Sequence, residues 1–165
     1  AFTMIKGDYR LLLAGAGDAL SLVKEYSQKD SRIQYLGHLT PNEVKDFQKS
    51  ATVLVNPRTS EFEFVKYSFP SKTMEGLASG KPYIAHKLPC DPPEYAAYIQ
   101  YAENESDEAL RDKIVYVCSL SSQERDDIGH RAAKFIETEK NPTVMSKRIV
   151  DMWERLVEEY NAKKD

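Results

Sequence analysis

The chain has 165 residues, 41% hydrophobic and 30% charged, with a formal net charge of -3. These values suit one globular domain large enough to bury a core, and they exclude a broad basic footprint for nucleic acid. No apolar run approaches the roughly 20 residues that cross a bilayer, no signal-peptide pattern is read at its start, and Cys90 and Cys118 match no metal-ligand spacing. Two reduced thiols are expected, a disulfide between them being the alternative.

In chain order, Arg10 to Ala14 (RLLLA) is a continuous apolar run, as in a strand buried on both faces. The turn Gly15-Ala16-Gly17 follows, then a helix over Ala19 to Lys29 with Leu20, Val23 and Tyr26 at helical spacing. Arg32 to Leu36 predicts the next strand, ending at Gly37. Thr40-Pro41-Asn42-Glu43 is a capping box with Pro at the first helical position, and its helix runs to about Ser50. Thr52 to Val55 reads as another solid, buried strand, ending in Asn56-Pro57-Arg58. After a longer loop, Thr59 to Lys66, comes the stretch Tyr67 to Pro82, YSFPSKTMEGLASGKP. Ser68 suits an N-cap, Pro70 a first turn, and Gly80 with Pro82 a helix end. Met74, Leu77 and Ala78 are expected on the buried face of this helix.

Tyr83 to Ala85 is a fourth strand, Pro89 to Pro93 a loop, Glu94 to Tyr98 a short helix and Ile99 to Ala102 an edge strand. Tyr95, Tyr98 and Tyr101 are expected at the surface. Helices are predicted over Asp107 to Leu120, with Leu110, Ile114 and Val117 in register, and over Ser122 to Lys140, capped by Ser121 or Ser122. Asn141-Pro142 opens a last helix, to about Tyr160, with the stripe Met145, Ile149, Met152, Trp153 and Leu156. Lys163, Lys164 and Asp165 are expected to fray.

Strands alternating with helices predict a parallel sheet with helices on both faces, in a Rossmann-like α/β arrangement. Such sheets bind ligands beyond the carboxyl ends of their strands. Those ends are Gly15-Ala16-Gly17, Gly37-His38-Leu39, Pro57-Arg58 and Ala85-His86, and the helix after Pro70 starts at the same rim. Ser71 and Glu75 are four residues apart and share a helical face, one turn or roughly 5.4 Å from each other. An anion at the helix N-terminus and a hydroxyl at Glu75 are how a nucleotide would lie there. The bland alternative is a capped core helix with an exposed Glu. Gly15-Ala16-Gly17 lacks the third glycine of a dinucleotide fingerprint and alone reads as a tight turn. Arg58 and Lys72 are either diphosphate ligands or solvated charges. Glu61 and Glu63 face either a sugar or solvent. His38, His86 and His130 show no ligand spacing, so no metal site is expected. There is neither an esterase elbow nor a Walker loop. A phosphorelay receiver would need an acidic cluster at strand ends, which these ends do not offer.

Taken together, LLLAGAGD (Leu11 to Asp18), RIQYLGHL (Arg32 to Leu39), ATVLVNPR (Ala51 to Arg58) and SFPSKTMEGLASGKPYIA (Ser68 to Ala85) carry a resemblance. In this order they resemble the C-terminal, donor-binding domain of GT-B fold glycosyltransferases, of the retaining family 4 (glycosyl transferases group 1) type. The resemblance implies transfer of a sugar, with retention, from a UDP- or GDP-linked donor to an acceptor such as a polysaccharide or glycoconjugate. It implies diphosphate contacts at Ser71, Lys72, Arg58, Gly15 and Gly17, and ribose binding by Glu75. The base-binding rim would be Gly37, His38 and Leu39. In the family a first carboxylate precedes the second by eight residues. Tyr67 stands at that place, so Glu61, Glu63, Tyr67 and Ser68 become the expected sugar contacts. No catalytic side chain, metal or cofactor is assigned.

The resemblance further implies that residues 1–165 form a single, N-terminally truncated domain. Its first strand and the acceptor-binding N-terminal domain would lie outside, and the fragment alone would be inactive. Residues 141–160 would cross to that domain, leaving their stripe partly exposed and open to self-association. A cytoplasmic location, peripheral to the inner face of a membrane in the full-length enzyme, is expected. A non-catalytic nucleotide-sugar-binding or interaction module of the same fold is the alternative, motivated by Tyr67.

Overall fold

A computed structural model describes residues 1–163; the tail expectation falls on Lys164 and Asp165, outside the described residues, and on Lys163, which caps the last helix. The chain runs β1 (Leu11–Leu13), α1 (Leu20–Lys29), β2 (Ile33–Tyr35), α2 (Pro41–Ser50) and β3 (Leu54–Asn56). A 3-10 turn (Glu63–Tyr67), α3 (Ser71–Ala78), β4 (Tyr83–Ala85), a second 3-10 turn (Pro93–Tyr95) and β5 (Ile99–Tyr101) follow. The chain ends in α4 (Asp107–Ser119), α5 (Ser122–Glu139) and α6 (Pro142–Ala162). Every strand pair is parallel, as the apolar strands alternating with helices predict. The strands divide into two small sheets, β1-β2 and β3-β4-β5, with β4 central in the second.

β4 is buried on both faces, and its alternation splits the core in two. Tyr83 and Ala85 join Leu77, Tyr95, Ile99, Ala132 and Phe135 on one side. Ile84 joins Ile5, Leu110, Ile114 and Val117 on the other, under α4. Each large apolar side chain taken out of water contributes about 1.5–3 kcal/mol, so these two clusters supply much of the driving force. Expected register residues Leu110, Ile114 and Val117 are all buried.

The first sheet is different. Between residues 7 and 52 only Ile33 is buried, and α1 and α2 bury nothing. The expectation of solid, doubly buried strands at Arg10 to Ala14 and Thr52 to Val55 is therefore corrected. Leu12 of β1 is 42% exposed, and β3 starts two residues later, at Leu54, and is only half-buried. The reason is that β1 and β3 each pair with a strand on one side alone. Arg32 ties this sheet to the larger core: its Nη1 donates to the Ile5 carbonyl at 2.6 Å, while Asp30 holds the rest of the guanidinium.

Capping follows the sequence closely in three helices. Thr40 with Glu43, and Ser121 with Glu124, form complete capping boxes, and Asn141 caps α6. In α3 the expectation is corrected: Pro70 is the N-cap residue and no side chain caps the helix. Ser68 is extended, and Phe69 is drawn against Tyr95, ring centroids 4.9 Å apart. The buried face of α3 is Thr73, Gly76 and Leu77, whereas Ala78 is exposed and Met74 half-buried. Gly76 sets this rotation, because a Cβ there would lie 2.4 Å from the Tyr83 ring. Gly80 adopts φ +77°, the left-handed conformation expected past a helix end.

Two further expectations change. Glu94 to Tyr98 is not a helix but the end of the short turn Pro93–Tyr95. Tyr95 is a core residue, edge-on to Phe135, and Tyr98 stacks on Phe135 at 4.2 Å. Tyr101 donates to Asp91 at 2.9 Å. Together with Ile99 of β5, these rings fill that side of the core. Both cysteines are free thiols. Among the described residues no helix is long and apolar enough to cross a membrane.

α3 and α5 touch where Gly129 faces the end of α3: a Cβ on Gly129 would meet the Gly80 carbonyl oxygen at 1.9 Å. Gly129→Ala is expected to destabilise by about 2–3 kcal/mol from overpacking, outweighing a helix-propensity gain of about 1 kcal/mol. Thermal denaturation reads this as a lower Tm. A second prediction concerns Lys140, whose buried ammonium lies 2.7 Å from Glu94 Oε1 and over the rings of Tyr95 and Phe135. The hydrogen bond from Lys140 holds the Glu94 carboxyl below its ordinary value of 4.5. Stability from the pair is thus complete above that ordinary value and is lost as pH falls through the lowered folded one. Glu94→Gln is expected to cost about 1–2 kcal/mol at neutral pH. The gap from wild type should close in acid, checked by urea titrations across pH.

Candidate functional site

The site is built on α3. Because Thr73, Gly76 and Leu77 face the core, Ser71, Lys72 and Glu75 face outward, and all three are exposed. Among the described residues the side chains of Lys72 and Glu75 form no ion pair or hydrogen bond. With no side chain capping α3, its first N–H groups keep the partial positive charge of a helix N-terminus. Lys72 adds a full charge in the same turn. Glu75 follows one turn along the same face.

A buried polar network fixes α3 from beneath. The Tyr83 hydroxyl lies 3.3 Å from Thr73 Oγ1 and also bonds Asn56, at the carboxyl end of β3. Burial pushes the Tyr83 phenol up, so it stays protonated and keeps its bonds. Asn56 in turn accepts from the Arg58 backbone N–H at 3.3 Å. The end of β3, the start of β4 and the first turn of α3 are thus joined through side chains. Sequence reasoning missed this network; a Thr, a Tyr and an Asn bordering apolar strands are its only local signal.

On the first sheet the two glycine turns come together. The Gly15 N–H donates to the Gly37 carbonyl at 2.8 Å, and the Tyr35 hydroxyl donates to the Gly15 carbonyl at 2.7 Å. Gly15 and Gly37 have φ +118° and +77°, where a side chain would be strained. Gly17, His38 and Leu39 adjoin them, with Gly17 and His38 exposed and Leu39 half-buried. Among the described residues no hydrogen bond joins this turn pair to the α3 group.

The loop between β3 and α3 carries the remaining expected residues. Glu61, Glu63, Tyr67 and Ser68 are all exposed. Arg58 does not reach for solvent as an isolated charge: its guanidinium lies 5.1 Å over the Phe64 ring. Phe64 stacks with Phe62 at 5.8 Å, and both rings remain more than half exposed. This pair went unread in the sequence, although aromatic residues alternating with Glu in a loop, as in Glu61-Phe62-Glu63-Phe64, were there to be seen. The loop is anchored by Val65, fully buried, and by Glu105, whose carboxylate accepts from the Ser60 N–H at 3.0 Å. That bond holds the Glu105 carboxyl below the usual range. His86, after β4, is buried and donates from Nδ1 to the Asn104 carbonyl at 3.0 Å. It therefore serves the loop that bears Glu105 rather than the open rim. Two surface depressions run along α4 and α5, and none of the α3, loop or glycine-turn residues borders them.

Among solved structures, sucrose-phosphate synthase from Thermosynechococcus elongatus superposes with a TM-score of 0.70 at 18% identity, covering 90% of this chain and 38% of that one. The pneumococcal O-GlcNAc transferase GtfA, solved in complex with UDP and GlcNAc, gives a TM-score of 0.56 at 22% identity, covering 91% of this chain and 29% of that one. The chain therefore spans well under half the length of these two proteins. At such identities the likeness is one of fold. A search of curated proteins finds no match. The family described as Glycosyl transferases group 1 matches residues 1–119, which include both glycine turns, the loop and all of α3. The parallel α/β architecture and this match agree: the chain belongs to the group 1 glycosyl transferases, with a fold of the GT-B kind.

Proposed function

We propose that this chain is the donor-binding half of a retaining glycosyltransferase using a UDP- or GDP-linked sugar. The observation that carries the reading is the outward face of α3, where an uncapped N-terminus, Ser71, Lys72 and Glu75 stand together with no partner among the described residues for Lys72 or Glu75. In this reading the donor diphosphate lies at the helix N-terminus, contacted by Ser71, Lys72 and, beyond it, Arg58. Glu75 accepts from the ribose hydroxyls. The base lies toward Gly37, His38 and Leu39, and the Gly15–Gly17 turn faces the cleft. Glu61, Glu63, Tyr67 and Ser68 border the donor sugar.

The chain's contribution to the chemistry is electrostatic. As the glycosidic bond breaks, negative charge grows on the departing diphosphate, and oriented N–H dipoles with the Lys72 ammonium stabilise it without reorganising. No side chain of this chain is given the part of nucleophile, acid or base, and the reading calls on no metal or cofactor. The acceptor, a polysaccharide or glycoconjugate, would be presented by a second domain across the cleft. The exposed stripe on α6, with Trp153 60% exposed, is the surface such a domain would cover, and a further strand could pair with the open edges of β1 and β3. A cytoplasmic location at the inner face of a membrane fits such an acceptor.

One observation favours a second reading. Tyr67, 83% exposed, stands where the family's first carboxylate is expected, as in a binding module that has lost the chemistry. Donor hydrolysis or sugar transfer by the full-length protein separates the two readings, since a module gives neither.

Calorimetry of the chain with UDP and with GDP tests the site itself. One nucleotide is expected to bind, and Glu75→Ala and Lys72→Met are each expected to weaken it about tenfold, as for loss of a charge-assisted hydrogen bond. Absence of heat with both nucleotides, or equal affinity in Glu75→Ala and wild type, would refute the reading.

A further inference from the structure

The loop between β4 and β5 holds a carboxylate in a fixed place. Asp91 Oδ2 accepts from the Leu88 N–H at 3.0 Å and from the Tyr101 hydroxyl at 2.9 Å. The Asp91 N–H closes the turn by donating to the Leu88 carbonyl at 3.1 Å. Leu88 is buried, and Pro89, Pro92 and Pro93 stiffen the segment. Burial first, and then the Asp91 carboxylate, push the Tyr101 phenol up, so it stays a donor. Both donors take the same oxygen. Asp91 Oδ1 has no hydrogen bond or ion pair among the described residues, and Asp91 is only half-buried. For the turn itself one oxygen is enough, and an Asn would supply it without a charge. The second, charged oxygen is therefore open to a ligand.

The turn lies against the entry to α3. The Cys90 thiol donates to the Ser68 carbonyl at 3.5 Å, and Tyr95, farther along the loop, packs on Phe69. Burial and then Asp91 raise the Cys90 thiol, against Arg58. Burial, Asp91 and Glu75 raise the Tyr83 phenol, against its bonds to Thr73 and Asn56. Asp91 thus shares its surroundings with both Arg58 and Glu75. Arg58, Lys66, Lys72 and Lys87 offset Glu61, Glu63, Glu75 and Asp91 on these segments, with Lys81 at the far end of α3, so an anionic donor is not repelled. On neighbouring segments Glu94 is engaged by Lys140 and Glu105 by Ser60. The Glu61 and Glu63 side chains form no bond among the described residues and must be ordered by any ligand they hold, whereas Asp91 is already ordered. Among the described residues no three His, Cys, Asp or Glu side chains gather to hold a metal ion, so a hydroxyl suits this single open oxygen better than a cation. We propose that Asp91 is a specificity-determining residue of the donor site, its Oδ1 accepting from a hydroxyl of the donor sugar beside Ser68. This rests on the reading of α3 as the donor site, and it adds a preorganised acceptor for the sugar itself.

The test is calorimetry of the chain with UDP-glucose, UDP-N-acetylglucosamine, UDP-galactose and GDP-mannose, each beside its own free nucleotide. At least one nucleotide sugar is expected to bind more tightly than its nucleotide. Asp91→Asn keeps an oxygen for Leu88 and Tyr101. It is expected to weaken that nucleotide sugar about tenfold and to leave UDP and GDP at wild-type affinity. Asp91→Ser, which also keeps one oxygen, is the second variant, with the same expected loss, and an unchanged Tm should show either one folded. Analogues of the preferred donor with each hydroxyl in turn replaced by fluorine identify the partner: one of them is expected to bind wild type and Asp91→Asn alike, because the contact is already lost. A nucleotide sugar that binds no tighter than its nucleotide in every case overturns the inference and leaves the nucleotide site standing. So does a preference for the sugar that persists in both variants, or a loss shared equally by sugar and free nucleotide. Absence of heat with every nucleotide and nucleotide sugar overturns the donor reading and this inference with it.

Discussion

The contact between Gly76 and the Tyr83 ring is the constraint on which the rest of the molecule turns. Among the described residues β4 is the one strand paired on both sides and buried on both faces. Tyr83, its first residue, fills the space that any side chain at position 76 would need. α3 must therefore lie with Gly76 down, which puts Thr73 and Leu77 down with it. Helical spacing then leaves Ser71, Lys72 and Glu75 pointing out. Gly129 repeats the device from α5, so α3 is pinned between strand and helix at backbone distance. Side chains of ordinary size at either glycine would move the helix on which the candidate site stands.

Polar bonds complete what packing begins. Tyr83 reaches Thr73 and Asn56 from the buried side, and Asn56 steadies the turn that bears Arg58. Such bonds are modest individually, about 0.5–1.5 kcal/mol each, but a buried hydroxyl left without them costs more. Their effect is to fix the relation between the end of β3 and the start of α3 across the intervening loop. The charges above that network are left without partners, which is costly for folding and useful for a ligand. Lys72 and Glu75 thus stand unpaired, among the described residues, above a base fixed by buried contacts.

The β1-β2 sheet follows another logic. It buries little, its helices bury nothing, and Arg32 is its chief polar link to the larger core through Ile5. Its two glycine turns are nonetheless well ordered against each other by the Gly15–Gly37 bond. The exposed apolar residues of this part and of α6 are surfaces of the kind covered in a larger assembly. That agrees with a chain spanning only part of the length of the glycosyltransferase structures it superposes on.

Local signals were enough wherever neighbours in sequence are neighbours in space. The capping boxes at Thr40 and Ser121, the register of Leu110, Ile114 and Val117, the helix stop at Gly80 and the order of strands and helices were all legible in the sequence. So were the four rim motifs, because a family signature is a matter of residue order. What the tertiary structure alone decided is how those elements turn and what they touch. The rotation of α3 depends on a ring seven residues away in β4, the inward course of Tyr95 on Phe135, and the half-burial of β1 and β3 on their pairing on one side alone among the described residues. Likewise Phe62 and Phe64 are visible as letters, but their stacking beside the buried Val65 is decided by the tertiary structure. The sequence by itself determined the order of elements and the family motifs. Burial, which depends on contacts between distant segments, decided which of the motif residues face outward.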